Sequence, residues 1–128
     1  MTVLSVFLPA YNEASNIRKA VDDVSAILSA LDIDYEIIVV NDGSTDGTGD
    51  IVREMIPRVS SLRLQEHFPN RGYGGALKAG FAAARGQFIA FVPADNQFDL
   101  KKNSPSVEKI KEADIVSGYR VSRQDTFI

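Results

Sequence analysis

Carboxylates and glycines gather in a few short stretches of this chain, and their types limit the chemistry they can do. Asp95, Gln97 and Asp99 alternate within residues 93–99. Side-chain oxygens so placed suit Mg2+ or Mn2+ bridging phosphate oxygens, where the cation offsets charge developing on a departing diphosphate. A polar turn capping the next segment would use the same residues. Asp42 and Glu13 are a second set of carboxylates. Beside an apolar wall of Pro9 and Tyr11, they can accept from the N–H groups of a flat base. Taken singly, Asp42 also suits an Asx-turn onto Gly43 or a helix cap, and Glu13 suits a first helical turn, complementing the dipole. Residues 71–80 are glycine-rich, yet they match neither common phosphate loop. Leu77 stands where a dinucleotide fingerprint needs its third glycine, and Phe81 follows Gly80 where a P-loop needs lysine. Lys78, one turn into the following helix, is a candidate for a diphosphate or a residue on a solvated face. His67 is the single histidine, so a histidine metal cluster or a His-based triad has little support, and no role is assigned to it.

These side chains can act together only if the fold brings their loops to one place. Residues 3–8 are an apolar run stopped by Pro9, which reads as a buried strand. Ile17, Ala20, Val21, Val24, Ile27, Leu28 and Leu31 recur at three- and four-residue spacing, one stripe of a helix. Residues 35–40 form a second strand rich in β-branched side chains. Residues 41–48 read as a loop that offers several helix N-caps, and a helix over about 49–55 follows, stopped by Pro57. Residues 61–65 predict a third strand, and the glycine-rich turn at 69–75 opens an alanine-rich helix ending near Gly86. Residues 87–92 are a fourth strand stopped by Pro93, 104–111 a helix with Pro105 in its first turn, and 113–117 a fifth strand. Strict alternation of this kind implies an α/β fold, a mostly parallel sheet flanked by helices. Ligands bind such a sheet beyond the carboxyl ends of its strands. That rule sends 9–13, 41–48, 68–75 and 93–99, the stretches named above, to one end of the molecule.

Composition narrows the class. The chain has 128 residues, one domain's worth, with 45% hydrophobic and 24% charged residues. A net charge of -3 does not favour a nucleic-acid binder driven by a basic surface. Without cysteine there are neither disulfides nor thiolate metal sites. The N-terminal residues run straight into a strand without a basic start, and no apolar stretch nears the roughly 18 residues that span a bilayer. The expectation is a cytoplasmic location. Residues 118–128 carry no turn signal and no final element, which suggests a chain cut inside a larger protein.

Three blocks carry a resemblance. Leu8-Pro9-Ala10-Tyr11-Asn12-Glu13, Val40-Asn41-Asp42-Gly43-Ser44-Thr45-Asp46-Gly47-Thr48 and Asn70-Arg71-Gly72-Tyr73-Gly74-Gly75-Ala76-Leu77-Lys78-Ala79-Gly80 occur in that order. Together they resemble the signature of glycosyltransferase family 2, in the form of its dolichyl-phosphate-mannose-synthase-like, polyprenyl-phosphate members. The resemblance implies a GT-A, Rossmann-like fold, with residues 1–128 as the nucleotide-sugar-binding part and the C-terminal part truncated. It implies transfer of a hexosyl group, with inversion, from a UDP- or GDP-sugar to a polyprenyl or dolichyl phosphate. The acceptor phosphate would attack directly, so no protein nucleophile is demanded. Pro9, Ala10, Tyr11, Glu13, Asp42 and Ala94 would meet the nucleotide. Lys78 and Arg120 would meet the diphosphate, with Arg123 assisting.

The family's Asp-x-Asp motif after the fourth strand aligns with residues 93–97, so Asp95 is the implied catalytic residue, and Asp95 and Gln97 the implied ligands of Mg2+ or Mn2+. Pro93 stands where the first Asp belongs, which removes one ligand and weakens the expected metal site. A catalytically inactive nucleotide-sugar-binding module is therefore the alternative. A flavodoxin-like signalling domain ranks behind both. The acceptor region would lie in a missing C-terminal part, at the cytoplasmic face of a membrane. Nucleic acid is not an expected partner, and an oligomer is open.

Overall fold

A computed structural model of the chain describes residues 2–59, 61–92 and 94, together with the backbone of 119–120. Its element order is β1 (Leu4–Ala10), α1 (Ile17–Ser29), β2 (Tyr35–Asp42), α2 (Thr48–Met55), β3 (Leu62–His67), α3 (Gly72–Ala83), β4 (Phe88–Phe91) and β5 (Tyr119–Arg120). The strands form one sheet in the order β3-β2-β1-β4-β5. The first four are parallel, and β5 pairs antiparallel with β4. The predicted helix at 104–111 and strand at 113–117 lie outside the described residues.

The period of each element decides what it buries. Every residue of β1 is buried, because the central strand is covered on both faces. Leu4, Val6, Leu8 and Ala10 join Ile37 and Val39 beneath α1 and α2, where Ile17, Ala20, Val21, Val24 and Leu28 supply the expected helical stripe. Phe7, Ile38 and Val40 face the other way, towards Ala76 of α3. Phe7 lies edge-on to Phe81 of α3 at 5.1 Å and stacks on Phe91 of β4 at 5.6 Å. The residue that spoils the P-loop pattern is thus a partly buried side chain packed against the core.

Two strands outrun their apolar signal. β1 continues through Pro9, which pairs in register with Val40. Val3 and Phe7 turn their carbonyls to β4, so alternation turns the missing N–H of Pro9 the same way, past the point where β4 has ended. β2 extends through Asn41 and Asp42, which were expected in the loop, because β3 runs on to Glu66 and His67 and pairs with both.

At the other end of the strands, Glu36 is buried with Ser5. It accepts from the Ser5 hydroxyl at 2.6 Å, the Arg85 N–H at 2.6 Å and the Arg63 guanidinium at 2.7 Å. Arg63 also donates to the Ala83 carbonyl at 2.8 Å. This network ties the C-terminus of α3 to the sheet. Burial alone would raise the Glu36 carboxyl, but the bonds from Ser5, Arg85 and Arg63 outweigh it and hold the group below the usual glutamate range.

Candidate functional site

A cleft of about 280 Å3 opens at the carboxyl ends of β1 and β2, lined by Pro9, Ala10, Tyr11, Glu13, Asp42, Asn70, Gly72, Tyr73, Ala76 and Ala94. It includes all six residues that the sequence assigned to a nucleotide. Each loop reaches it for a local reason. Gly43 turns the chain with φ +73°, and a Cβ there would come within 2.7 Å of the Asn70 backbone nitrogen. Only glycine lets the loop after β3 lie across the end of β2. Asn70 then accepts from the Gly72 N–H at 2.8 Å, which helps start α3.

The first loop is held by the second. Asn12, at φ +52°, donates its N–H to Ser44 Oγ at 2.9 Å and accepts from the Thr45 N–H at 2.8 Å. The Glu13 N–H donates to Thr48 Oγ1 at 3.1 Å, and the Ala14 N–H to Asp46 Oδ2 at 3.0 Å. Asp46 Oδ1 accepts from the Thr48 N–H at 3.1 Å and its hydroxyl at 2.5 Å. Slight burial pushes the Asp46 carboxyl up, but its bonds from Thr48 and Ala14 outweigh that and lower it below the usual aspartate range. The polar residues of 44–48 thus brace one loop on the other. Each looks in the sequence only like a turn former.

The local reading of Asp42 does not hold, whereas Glu13 does sit at the N-terminus of α1, just ahead of its first turn, with its carbonyl accepting from the Ile17 N–H at 2.8 Å. The bond onto a residue two positions ahead belongs to Asp46, while Asp42 Oδ1 accepts from the Arg71 N–H at 2.8 Å and lies 3.3 Å from His67 Nδ1. Glu13 precedes α1, whose first turn holds no acidic residue, and its Oε1 accepts from Asn16 at 3.0 Å. Asp42 and His67 are both buried, and the sequence had set His67 aside. The pairing follows from the register of β2 on β3, which sets His67 opposite Asp42. Tyr11 and Tyr73 are half exposed on the cleft lining. Tyrosine faces, alanines and two carboxylates suit a flat ring with N–H groups at its edge.

Other candidates lie elsewhere. Lys78 is exposed on α3, about 200° around the helix from Ala76, and does not line the cleft. The backbone of Arg120 pairs with Phe88, which pairs with Leu4, at the far end of the sheet from the cleft. Asp95, Gln97, Pro93, Asp99 and Arg123 lie outside the described residues. Among the described residues no group of three or more His, Cys, Asp or Glu could hold a metal ion.

The architecture and the sequence both have relatives. The mannosyltransferase of Pyrobaculum calidifontis in complex with GDP-Man and Mn2+ superposes with TM-score 0.68 at 28% identity, over 88% of this chain and 33% of that one. S. aureus TarS 1-349 in complex with UDP-GlcNAc gives 0.68 at 26%, over 87% and 32%. The sheet is that of the GT-A fold. The dolichyl-phosphate beta-glucosyltransferase of Dictyostelium discoideum is 36% identical over 129 residues, covering 91% of this chain and 39% of that protein. The dodecaprenyl-phosphate galacturonate synthase of Rhizobium johnstonii is 34% identical, over 95% and 37%. The chain spans less than two fifths of the length of either. The model of a family described as glycosyl transferase family 2 matches residues 5–127, and with that match this chain belongs to the family.

Proposed function

We propose that this chain is the donor-binding part of an inverting glycosyltransferase, which moves a hexosyl group from a UDP- or GDP-sugar to a polyprenyl or dolichyl phosphate. The observation that carries this reading is the cleft itself, where Glu13 and Asp42 share a lining with Pro9, Ala10, Tyr11 and Ala94. The named activities of the Dictyostelium and Rhizobium relatives support the acceptor class, and the GDP-Man and UDP-GlcNAc complexes support the donor class. Glu13 and Asp42 accept from the base, and Tyr11 covers its face. An acceptor phosphate oxygen attacks the anomeric carbon as the bond to the diphosphate breaks, and the nucleoside diphosphate leaves. Asp95 and Gln97 would hold Mg2+ or Mn2+, which supplies charge compensation on the leaving group. Lys78 and Arg120 do not share that lining, and the Lys78→Ala and Arg120→Ala variants in the same titration test them as diphosphate contacts. The acceptor class sets the reaction at the cytoplasmic face of a membrane in this reading; no helix among the described residues is long and apolar enough to cross one.

Titrating the chain with UDP, GDP, CDP and ADP, each with and without Mn2+, tests the reading. A hundredfold excess over Kd stabilises the folded state by about 2.7 kcal/mol, a rise in Tm on the order of 10 °C for a chain this long. No shift with any diphosphate refutes donor binding. The second reading, a nucleotide-sugar-binding module without turnover, is favoured by Pro93 in place of the motif's first Asp. It predicts a Tm shift indifferent to Mn2+ and to EDTA.

A further inference from the structure

His67 is a buried histidine beside the cleft that the proposed chemistry leaves unused. It ends β3, is 4% exposed, and sits in register opposite Asp42 at the end of β2. Its Nδ1 is 3.3 Å from Asp42 Oδ1, the oxygen that also accepts from the Arg71 N–H at 2.8 Å. A carboxylate oxygen only accepts, so Nδ1 is the protonated nitrogen in this pair. Both contacts fall on Oδ1, and none among the described residues falls on Oδ2. No fully buried side-chain nitrogen or oxygen among them lacks a partner, so Oδ2 keeps some accessible surface, and Asp42 lines the cleft.

Rotation of an aspartate carboxyl about its last bond is broad and nearly two-fold, so nothing within Asp42 keeps one oxygen forward. A single donor at Arg71 leaves the group able to pivot. A second donor, standing on β3 rather than on the loop, fixes its plane. We propose that His67 is a positioning residue for base recognition: it pins Oδ1 of Asp42 and so presents Oδ2 as the acceptor for an N–H on the edge of the base. This role rests on the nucleotide reading above. It assigns the discrimination between bases to a pair of side chains, Asp42 and His67, rather than to Asp42 alone.

A histidine that only fills space would affect all nucleotides alike, which makes discrimination the informative readout. The 128-residue chain and its His67→Leu and His67→Asn variants are titrated calorimetrically with UDP, GDP, CDP and ADP. Leucine keeps apolar volume without a donor, whereas the asparagine amide keeps an N–H close to the place of Nδ1. In His67→Leu, the ratio between the tightest and weakest diphosphate is expected to shrink about tenfold, and in His67→Asn to stay within about threefold of the original. Equal weakening of all four, or an unchanged ratio in His67→Leu, overturns the role. Where His67→Leu fails to fold, a preserved ratio in His67→Asn supports the role and a tenfold loss there overturns it. Absence of binding by the unaltered chain overturns the nucleotide reading and this role with it, whereas binding that ignores His67→Leu overturns this role alone.

Discussion

Replacing Asp46 by alanine removes the acceptor for Ala14 and two contacts to Thr48 in one step. The loop at 11–14 then loses part of its brace, although Asp46 itself is exposed and touches no ligand. We expect faster amide exchange at Ala14 and Glu13, and several-fold weaker diphosphate binding, with Tm little changed; unchanged exchange at both amides would show that Asn12 and Ser44 hold the loop unaided. Glu36 gives a different outcome, because its network is buried. Glu36→Ala leaves Arg63 and the Arg85 N–H without their acceptor and is expected to cost about 3 kcal/mol, read by urea unfolding. The Glu36 carboxyl titrates lower in the folded chain than in the unfolded one. Its stabilisation is therefore full above the unfolded value and fades as pH falls through the folded value. The gap in stability between the chain and Glu36→Gln should be widest near neutrality and close below the usual glutamate range. A gap that widens in acid would contradict the network. That Glu13 and Asp42 meet at one end of the sheet was legible from the rule that places ligands beyond the strands' carboxyl ends. His67 was not, because its contact is set by the register of β2 on β3, which no local spacing encodes.

Helix α3 meets the sheet through glycine as well as through apolar side chains. A Cβ on Gly80 would collide with the Phe7 ring, so Gly80→Ala forces the helix away from β1. The expected cost is roughly 1–3 kcal/mol, with a lower denaturation midpoint. Because Ala76, Gly72 and Tyr73 line the cleft from the same helix, diphosphate binding should weaken as well. Gly74→Ala, where added bulk meets nothing within 4 Å, is the control and should leave both unchanged. The glycine-rich block thus carries close packing at Gly80 and a turn at Gly72. At this scale the sequence was a good guide to element order, since apolar runs and helical stripes are averaged over many residues. It failed at the strand ends. Pro9 looked like a stop because proline cannot donate, yet β1 stays paired with β2 through Pro9 and Ala10, on the side its missing donor does not face. Asn41 and Asp42 looked like loop because they are polar, yet backbone pairing with Glu66 and His67 continues regardless of side chain.

For the whole molecule, the cleft gathers residues from β1, β2 and α3, together with the loops around them, and none of these elements makes it alone. Binding should therefore be lost together with the global fold rather than ahead of it, so ligand-detected and circular-dichroism-detected urea transitions are expected to coincide; a ligand signal lost well before the fold would mean a locally softer site. The strand order adds a consequence for how the protein is made. β1 precedes every other strand in the chain and yet sits between β2 and β4 in the sheet. During vectorial synthesis, β2 can flank it early, but its other edge stays open until β4 has left the ribosome. For that interval a buried-type segment, Leu-Ser-Val-Phe-Leu-Pro-Ala, is exposed along one side. The strand translated first is among the last to be enclosed, which makes a nascent chain stalled between β3 and β4 the natural client of a holdase chaperone.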